Sequence, residues 1–274
     1  MESDNNFVKE IKQRSKTIWA LGSYGDIATS ELPPLSAHLI RAANIQKNDS
    51  VLDVACGTGV TTITAAGKVD TKITGLDITP KFLIKAKEEA KFAGIENINW
   101  KEGDAEDLPF SDNSFDVTLS SFGHMFAPRP EVVAQELVRV TKVGGRIAFA
   151  TWPAELAVGK MFEVMMKYVS LNFNDTIPSI MQWGIPDIIQ KRLGTMVKDV
   201  HFERGALNIP LLSPNHYWRV LTTKFGPMID IIQTLSNEIE KIESLRKDFI
   251  DSIIPFIHEN MLKLDYLITV AKKI

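Results

Sequence analysis

The chain has 274 residues, a hydrophobic fraction of 45% and a formal net charge of −3 at pH 7. This composition excludes an intrinsically disordered chain, which would bury too little apolar surface to fold. Because there is a single cysteine, it also excludes a disulfide-stapled scaffold. The 31 basic and 34 acidic residues create no strong basic field, so we expect no DNA partner.

The sequence shows no targeting signal and no membrane span. Residues 1–14 carry charges of both signs and lack the apolar core of a signal peptide. The longest weakly polar run, 50–67, contains Asp53 and repeated glycines, a pattern that predicts strand, loop and helix rather than a membrane span. We therefore expect a cytoplasmic protein whose residues 1–274 form a single domain.

Residues 1–46 predict a helical segment that Pro33-Pro34 divides in two. From residue 47 to residue 152, short apolar runs alternate with helical segments. The predicted strands are 51–55, 72–77, 97–102, 115–121 and 146–152. Helical crossovers between consecutive strands make a parallel sheet that is covered on both faces, so an α/β fold is expected.

Two apolar, helix-leaning insertions, 153–195 and 213–262, follow this alternating region. Further strands are predicted at 197–204 and 264–271. In one interpretation the insertions are ordinary helices that pack on the sheet. In the other they form a lid over the carboxyl edge of the sheet. The two interpretations can both be true. Near the start of the second insertion stand His216, Tyr217 and Trp218, for which interhelical packing is favoured over substrate contact.

A glycine loop follows the first predicted strand. Gly57 and Gly59 allow positive φ angles and let a ligand approach bare backbone amides. Asp77, at the carboxyl end of the second strand, is placed to accept both hydrogen bonds of a ribose diol. A dinucleotide fingerprint would need a third glycine where this chain has Thr62, and Asp53 before the loop suits a cationic ligand better than a pyrophosphate.

A further acid, Asp104, follows the third strand and can accept a hydrogen bond from an exocyclic amine such as that of adenine. Five motifs then stand in order: VLDVACGTG, GLDIT, GDAEDLPF, SFDVTLSSFGHMF and LVRVTKVGGRIAFATW. Together they resemble the class I S-adenosylmethionine-dependent methyltransferases of the ubiquinone/menaquinone-biosynthesis type, over residues 40–152. The resemblance implies a Rossmann-like, doubly wound, mostly parallel seven-stranded sheet of order 3-2-1-4-5-7-6, with the antiparallel last strand at 266–271.

The resemblance also implies a set of contacts with S-adenosyl-L-methionine. Asp53 and the loop residues 57–59 would line its methionine moiety. Asp77 would hold the ribose hydroxyls, with Ile78 against the adenine face. Asp104 and Ala105 would contact the adenine edge, and Ser121 would lie beside the sulfonium. These residues are Asp53, Ala55, Gly57, Thr58, Gly59, Asp77, Ile78, Asp104, Ala105 and Ser121. The sequence departs from the family at Ala55, where many members have glycine, and at Val143, where proline is common.

Two residues are candidates for catalysis. His124, after the fourth strand, would act as a general base or else pack locally. Tyr24 would close the site from the N-terminal segment or else pack. The only cysteine, Cys56, is expected to be a small filler in the loop, and the five histidines are too dispersed for metal-ligand spacing, so no metal is expected.

The expected activity is methyl transfer by in-line displacement to an O, N or C atom of a small, partly apolar molecule. The insertions rich in methionine and aromatic residues suit such an acceptor. Two alternatives stay open: a protein or RNA methyltransferase, and a noncatalytic protein that binds S-adenosylmethionine. A homodimer is also compatible with the sequence.

Overall fold

Three helices precede the sheet in the computed structural model, which describes the backbone of residues 2–169 and 180–274, with side chains from residue 6 onward. They are α1 (Glu2–Trp19), α2 (Tyr24–Glu31) and α3 (Pro33–Ala42). Pro33 begins α3 because the N–H that proline lacks would have no partner in the first turn of a helix. The predicted division at Pro33-Pro34 is therefore the junction of two helices.

The central region alternates strands and helices as predicted. The strands are β1 (Val51–Val54), β2 (Ile73–Asp77), β3 (Ile98–Glu102), β4 (Phe115–Ser121) and β5 (Thr141–Thr151). The helices between them are α4 (Val60–Ala66), α5 (Pro80–Phe92) and α6 (Pro130–Val140). All four residues of β1 are buried, because helices cover both faces of the sheet. β5 begins at Thr141 rather than at the predicted Arg146.

The C-terminal part adds helices and an antiparallel edge. Its helices are α7 (Ala157–Met166), α8 (Pro186–Leu193), α9 (Pro214–Lys224), α10 (Gly226–Thr234) and α11 (Ile239–Ile253). Its strands are β6 (Val197–Pro210), β7 (Ile257–His258) and β8 (Met261–Lys273). Residues 170–179 of the first predicted insertion lie outside the described residues. α7 packs against α11, and α10 packs against α1.

The sheet has the order β3-β2-β1-β4-β5-β8-β6. β1 to β5 are parallel, and β8 is antiparallel to both β5 and β6. The predicted order, with an antiparallel strand at 266–271, is thus confirmed. The sheet has eight strands instead of the expected seven. The additional strand is β7, which pairs with β8. It was missed because a strand of two residues is too short to show hydrophobic alternation.

Candidate active site

A cleft opens at the carboxyl ends of the parallel strands, where open α/β sheets bind their ligands. It encloses about 1000 Å³, its mouth included. Eight of the predicted cofactor-binding residues line it, namely Ala55, Gly57, Thr58, Asp77, Ile78, Asp104, Ala105 and Ser121. Motifs from four different strands therefore meet in one pocket.

The glycine loop after β1 forms the floor of this pocket. A side chain at Gly57 would meet no atom within 4 Å, because the residue faces open space. Its φ of +56° lies in the region that glycine tolerates best. The Thr58 hydroxyl is buried beside it and has no hydrogen-bond partner. Since a buried hydroxyl without a partner is costly, the Thr58 oxygen marks a position where a ligand would hydrogen-bond.

Asp77 ends β2 with its carboxylate in the pocket. One of its oxygens accepts from the Gly57 N–H and the other from the Thr79 N–H, each at 2.8 Å. Burial raises the pKa of Asp77, while these backbone donors oppose the rise. An ionised carboxylate has about four lone-pair sites, so it can accept further hydrogen bonds besides these two.

Asp53 lies outside the residues that line the pocket, and its predicted contact with the methionine moiety stays a prediction. Its strand position points the carboxylate beneath the loop, where one oxygen accepts from the Thr62 hydroxyl at 2.6 Å. The other oxygen is buried without a partner. Burial, with a smaller contribution from the nearby Asp77 charge, raises the pKa of Asp53 to about 7. Asp53 can therefore favour a cation in the pocket only through its electric field.

Gly59 also lies outside the pocket lining, and its predicted contact with the cofactor stays a prediction. Its φ is +85°, and a Cβ there would lie 2.6 Å from the Trp100 ring. The same ring lies 2.7 Å from the Cβ position of Gly75 on β2. Both glycines are thus required for close packing beneath the indole of Trp100.

An ion-pair network closes the end of the pocket around Asp104. Lys12 on α1 donates to Asp104 Oδ2 at 2.6 Å, and its Nζ lies 2.5 Å from Glu106 Oε2. The Glu106 side chain is completely buried and also pairs with Arg129 at 2.8 Å. Because Asp104 Oδ1 accepts from the Glu106 N–H, its carboxylate is held in one orientation.

Ser121 ends β4 and joins a chain of hydroxyl groups. Thr61 Oγ1 donates to Ser121 Oγ at 3.1 Å and lies 2.8 Å from the Ser36 hydroxyl on α3. The following Phe122 has a φ of +63° and stacks on Trp152 with ring centroids 3.7 Å apart. This strained turn fixes the end of β4 at the pocket.

Aromatic side chains form the opposite wall. Trp19 at the end of α1 contacts Tyr24 and Phe126 edge-on, with ring centroids 5.5 and 5.0 Å apart. Phe82 on α5 completes this part of the lining. Phe225, between α9 and α10, supports Trp19 from outside at 5.5 Å.

The N-terminal helices therefore line one side of the pocket, and the predicted lid role of the two insertions stays a prediction. Among the described residues, neither 153–195 nor 213–262 contributes to the lining. The second insertion instead packs against the N-terminal helices, where the Ser23 N–H donates to the Lys224 carbonyl at 3.1 Å. Periodicity predicts that a helix has a buried face but does not identify what it packs against.

His124 lies outside the pocket lining, a position that favours the predicted alternative of local packing over a role as a base. Its ring is completely buried between Trp183 and Phe149, with centroids 4.7 and 4.9 Å away. Nδ1 lies 3.0 Å from the Ser120 hydroxyl, and burial lowers the pKa of His124 to about 3. The other candidate, Tyr24, lines the pocket, but burial raises its pKa, so it acts as a hydrogen-bond donor and not as a base at neutral pH.

Comparison with known proteins agrees with this geometry. Residues 51–145 match a family model described as a methyltransferase domain. Over 263 residues, 94% of this chain and 93% of the relative, the chain is 32% identical to an uncharacterised protein of Mycobacterium tuberculosis. Over 109 residues, 39% of this chain and 47% of the relative, it is 39% identical to demethylmenaquinone methyltransferase of Geobacillus stearothermophilus. The chain belongs to the class I S-adenosylmethionine-dependent methyltransferases.

The structure of a methyltransferase from Bacillus halodurans shows the same fold. It aligns with a TM-score of 0.58 over 87% of this chain and 98% of its own, at 18% identity. In the present chain, the described residues contain no group of histidine, cysteine or carboxylate side chains that could hold a metal ion. Within the same ranges, no helix is long and apolar enough to cross a membrane.

Sequence reasoning missed several residues of the pocket. Lys12 and Ser15 line it from α1, and Phe126 and Pro128 line it from the segment after β4. Trp19 lies on an apolar helical face, but such a face predicts burial and does not predict contact with a ligand. No sequence pattern marks Lys12 as a pocket residue, because its partner Asp104 is 92 residues away.

Proposed function

We propose that this methyltransferase moves a methyl group from S-adenosyl-L-methionine to an O, N or C atom of a small, partly apolar molecule. The observation that carries the proposal is that one cleft is lined by both polar and apolar side chains. Asp77, Asp104 and the Thr58 hydroxyl supply polar groups, and Trp19 and Phe82 supply apolar surface. Such a cleft suits a cofactor with a polar nucleoside beside a less polar acceptor.

The residues present fit the cofactor. The Asp77 carboxylate would accept from the hydroxyls of the ribose, and the Thr58 hydroxyl, which has no partner among the described residues, would hydrogen-bond the methionine moiety. The buried carboxyl groups of Asp53 and Asp77 favour a cationic ligand. Asp104 and Ala105 would contact the adenine edge, and Ser121 would lie near the sulfonium. When bound, the cofactor supplies a methyl group activated by a positively charged sulfur.

The task of the protein is then to position groups and exclude water. The strained Phe122 turn and the Thr61–Ser121 hydrogen bond fix one side of the reacting region. Trp19 and Phe126 shield it from solvent. Holding two reactants in line can lower a barrier by roughly 7–11 kcal/mol, so covalent catalysis by the protein is unnecessary.

An enclosed acceptor site favours a small molecule over a protein or RNA. The only cationic side chain in the described lining, Lys12, is paired with Asp104 and Glu106, so no basic surface is presented to an RNA backbone. The match to demethylmenaquinone methyltransferase supports the same choice, because the substrate in that name is a small molecule.

The proposal is tested with cofactor labelled in its methyl group, added with the purified protein to fractionated cell extract. We expect label in the organic-extractable, low-mass fraction, and none when the protein is omitted. Label confined to macromolecules would favour a protein or RNA methyltransferase. Cofactor binding in calorimetry with no transfer to any fraction would favour a noncatalytic binding protein.

A further inference from the structure

Three hydroxyl groups form a chain that leads from α3 to the pocket. Ser36 on α3 is completely buried, and its Oγ lies 2.8 Å from Thr61 Oγ1 at the start of α4. Thr61 Oγ1 in turn lies 3.1 Å from Ser121 Oγ at the end of β4. Thr61 and Ser121 line the pocket, whereas Ser36 does not, and of the three residues only Ser121 is partly exposed. The chain therefore ends at the hydroxyl that a ligand can reach.

The protons of this chain all point the same way. A hydroxyl group has one proton to donate and lone pairs that accept. The Thr61 hydroxyl donates to Ser121 Oγ, so the proton in the contact between Ser36 and Thr61 is that of Ser36. In the ranges that the structure describes, no hydrogen bond has the Ser121 hydroxyl as its donor. The Ser121 proton is thus left to bond a group in the cleft.

Packing holds the chain in this arrangement. α3 packs against α4, and Ser36 and Thr61 are too deeply buried to exchange their partners for water. On the other side, the backbone after Ser121 is fixed by the Phe122 turn, whose N–H donates to the Ala150 carbonyl at 3.0 Å. The Ser121 hydroxyl is therefore a preorganised donor at the pocket wall.

We propose that Ser36 and Thr61 are positioning residues that hold Ser121 as a hydrogen-bond donor, and that Ser121 selects an acceptor molecule with a carbonyl or anionic oxygen at this place. The inference rests on the proposed methyl transfer and deepens it. An ammonium group has no lone pair for the Ser121 proton. A neutral amine has a single lone pair, which its own methylation would use. A carbonyl oxygen has two, so it suits a fixed donor better.

The cofactor contains one group of the same chemistry, its carboxylate, but two arguments favour the acceptor molecule as the partner of Ser121. The Thr58 hydroxyl on the glycine loop already offers a hydrogen bond to the methionine moiety. The sulfonium that we place near Ser121 would repel the positive end of its O–H bond. The acceptor is therefore the partner to which the proposal commits.

The test compares two ligands of the same shape. 1-Indanone presents a carbonyl oxygen, and 1-aminoindane presents an ammonium group at neutral pH. Their affinities for wild type loaded with S-adenosyl-L-methionine are measured by NMR titration. We expect 1-indanone to bind at least about tenfold more tightly and Ser121→Ala to abolish this preference. Equal affinities in wild type, or no binding of 1-indanone at millimolar concentration, would overturn the proposal.

The positioning roles are tested by the same ratio of affinities. In Ser36→Ala the Thr61 hydroxyl is free to accept from Ser121, which can then turn a lone pair to the cleft, so the ratio should fall at least about threefold. Thr61→Val should behave alike, and Thr61→Ser, which keeps a hydroxyl, should restore most of the ratio. The matched control is Thr64→Val, because Thr64 lies on the same helix outside the lining and donates to the Val60 carbonyl at 2.7 Å.

The outcomes separate the inference from the proposed function. A wild-type ratio in folded Ser36→Ala would overturn the positioning roles, and this variant decides even if Thr61→Val does not fold. If Ser121→Ala instead weakens cofactor binding at least about tenfold and leaves the ratio unchanged, the partner is the cofactor carboxylate and the acceptor assignment is wrong. Failure of wild type to bind the cofactor, or to transfer methyl to any extract fraction, would instead overturn the proposed function.

Discussion

Lys12 on α1 places its ammonium group 2.6 Å from Asp104, the carboxylate that follows β3. The same ammonium group contacts the fully buried carboxylate of Glu106. This one side chain thus connects the N-terminal cover to the adenine end of the proposed cofactor site. The cover and the site are coupled, so a change at Lys12 affects both stability and ligand exchange.

We predict that Lys12→Met lowers the free energy of unfolding by about 1–3 kcal/mol, because it leaves the buried Glu106 carboxylate with Arg129 as its remaining cation. The dissociation rate of the cofactor should rise because α1 loses its anchor. Thermal unfolding and stopped-flow displacement measure the two effects.

Lys16→Met is the matched control. It lies one turn further along α1, and its partner Glu102 is half-exposed, so its removal should cost under about 0.5 kcal/mol. Equal destabilisation by the two variants would show that the buried contact of Lys12 with Glu106 contributes no more to stability than the exposed contact of Lys16 with Glu102.

Neighbouring threonines provide a second test. Thr58→Val removes a buried hydroxyl that has no partner, so the free protein should be as stable as wild type or slightly more stable. Cofactor affinity should fall about tenfold, which is about 1.4 kcal/mol, if the hydroxyl bonds the ligand. Thermal unfolding and calorimetric titration of one preparation measure both.

Thr61→Val should behave in the opposite way. Its hydroxyl is bonded to Ser36 and Ser121, so the variant should lose about 1–2 kcal/mol of stability. An unchanged cofactor affinity in Thr58→Val would refute the ligand contact assigned to that hydroxyl.

Asp53 predicts a pH dependence of cofactor binding. Its pKa is raised from 3.8 to about 7, and a cationic ligand nearby favours the ionised form. Affinity should therefore rise as the pH increases through about 7, with protons released on binding. Calorimetry in buffers of different ionisation enthalpy measures the release, and Asp53→Asn should abolish it.

The stability of the free protein should respond to Asp53 with the opposite sign. Because the folded pKa is above the unfolded value, the folded state holds more protons between pH 4 and 7, and this contribution to stability is lost as the pH rises through about 7. The melting temperature of Asp53→Asn should thus exceed that of wild type by more at pH 8 than at pH 5. A lower melting temperature at pH 8 would contradict the assignment.

Ala55→Gly should stabilise the protein by about 1 kcal/mol. Ala55 has a φ of +54°, a left-handed conformation that costs a residue with a Cβ about 1–2 kcal/mol, partly offset by the greater unfolded-state freedom of glycine. Gly123→Ala is the contrasting variant, since its Cβ would lie 2.5 Å from the Ala55 carbonyl oxygen, and it should destabilise. Chemical denaturation of both variants checks the two signs.

The order of the strands and much of the polar pocket could be predicted because they depend on short-range patterns. Asp77 at the end of a strand, or a glycine loop before a helix, is visible within ten residues of sequence. Ala55 stands where many family members have glycine, and its φ of +54° shows that the demand at this position is conformational. The pattern around a residue fixes its local geometry, and its neighbours across the pocket are fixed by packing.

The packing of the N-terminal helices over the pocket could not be predicted from local patterns, because it depends on contacts between distant parts of the chain. Trp19, the two insertions and His124 all lie in apolar surroundings, and hydrophobic spacing does not distinguish a pocket wall from a core. His124 is separated from the pocket by its burial against Trp183, which lies far away in the sequence.

The central claim is that Asp77 holds the ribose of S-adenosylmethionine, and calorimetric titration of this compound into wild type and Asp77→Asn tests it most directly. We predict one site per chain in wild type and binding at least about tenfold weaker in the variant, because a charged acceptor of two hydrogen bonds is lost. Absence of binding to wild type, or equal affinity in a folded Asp77→Asn protein, would contradict the account.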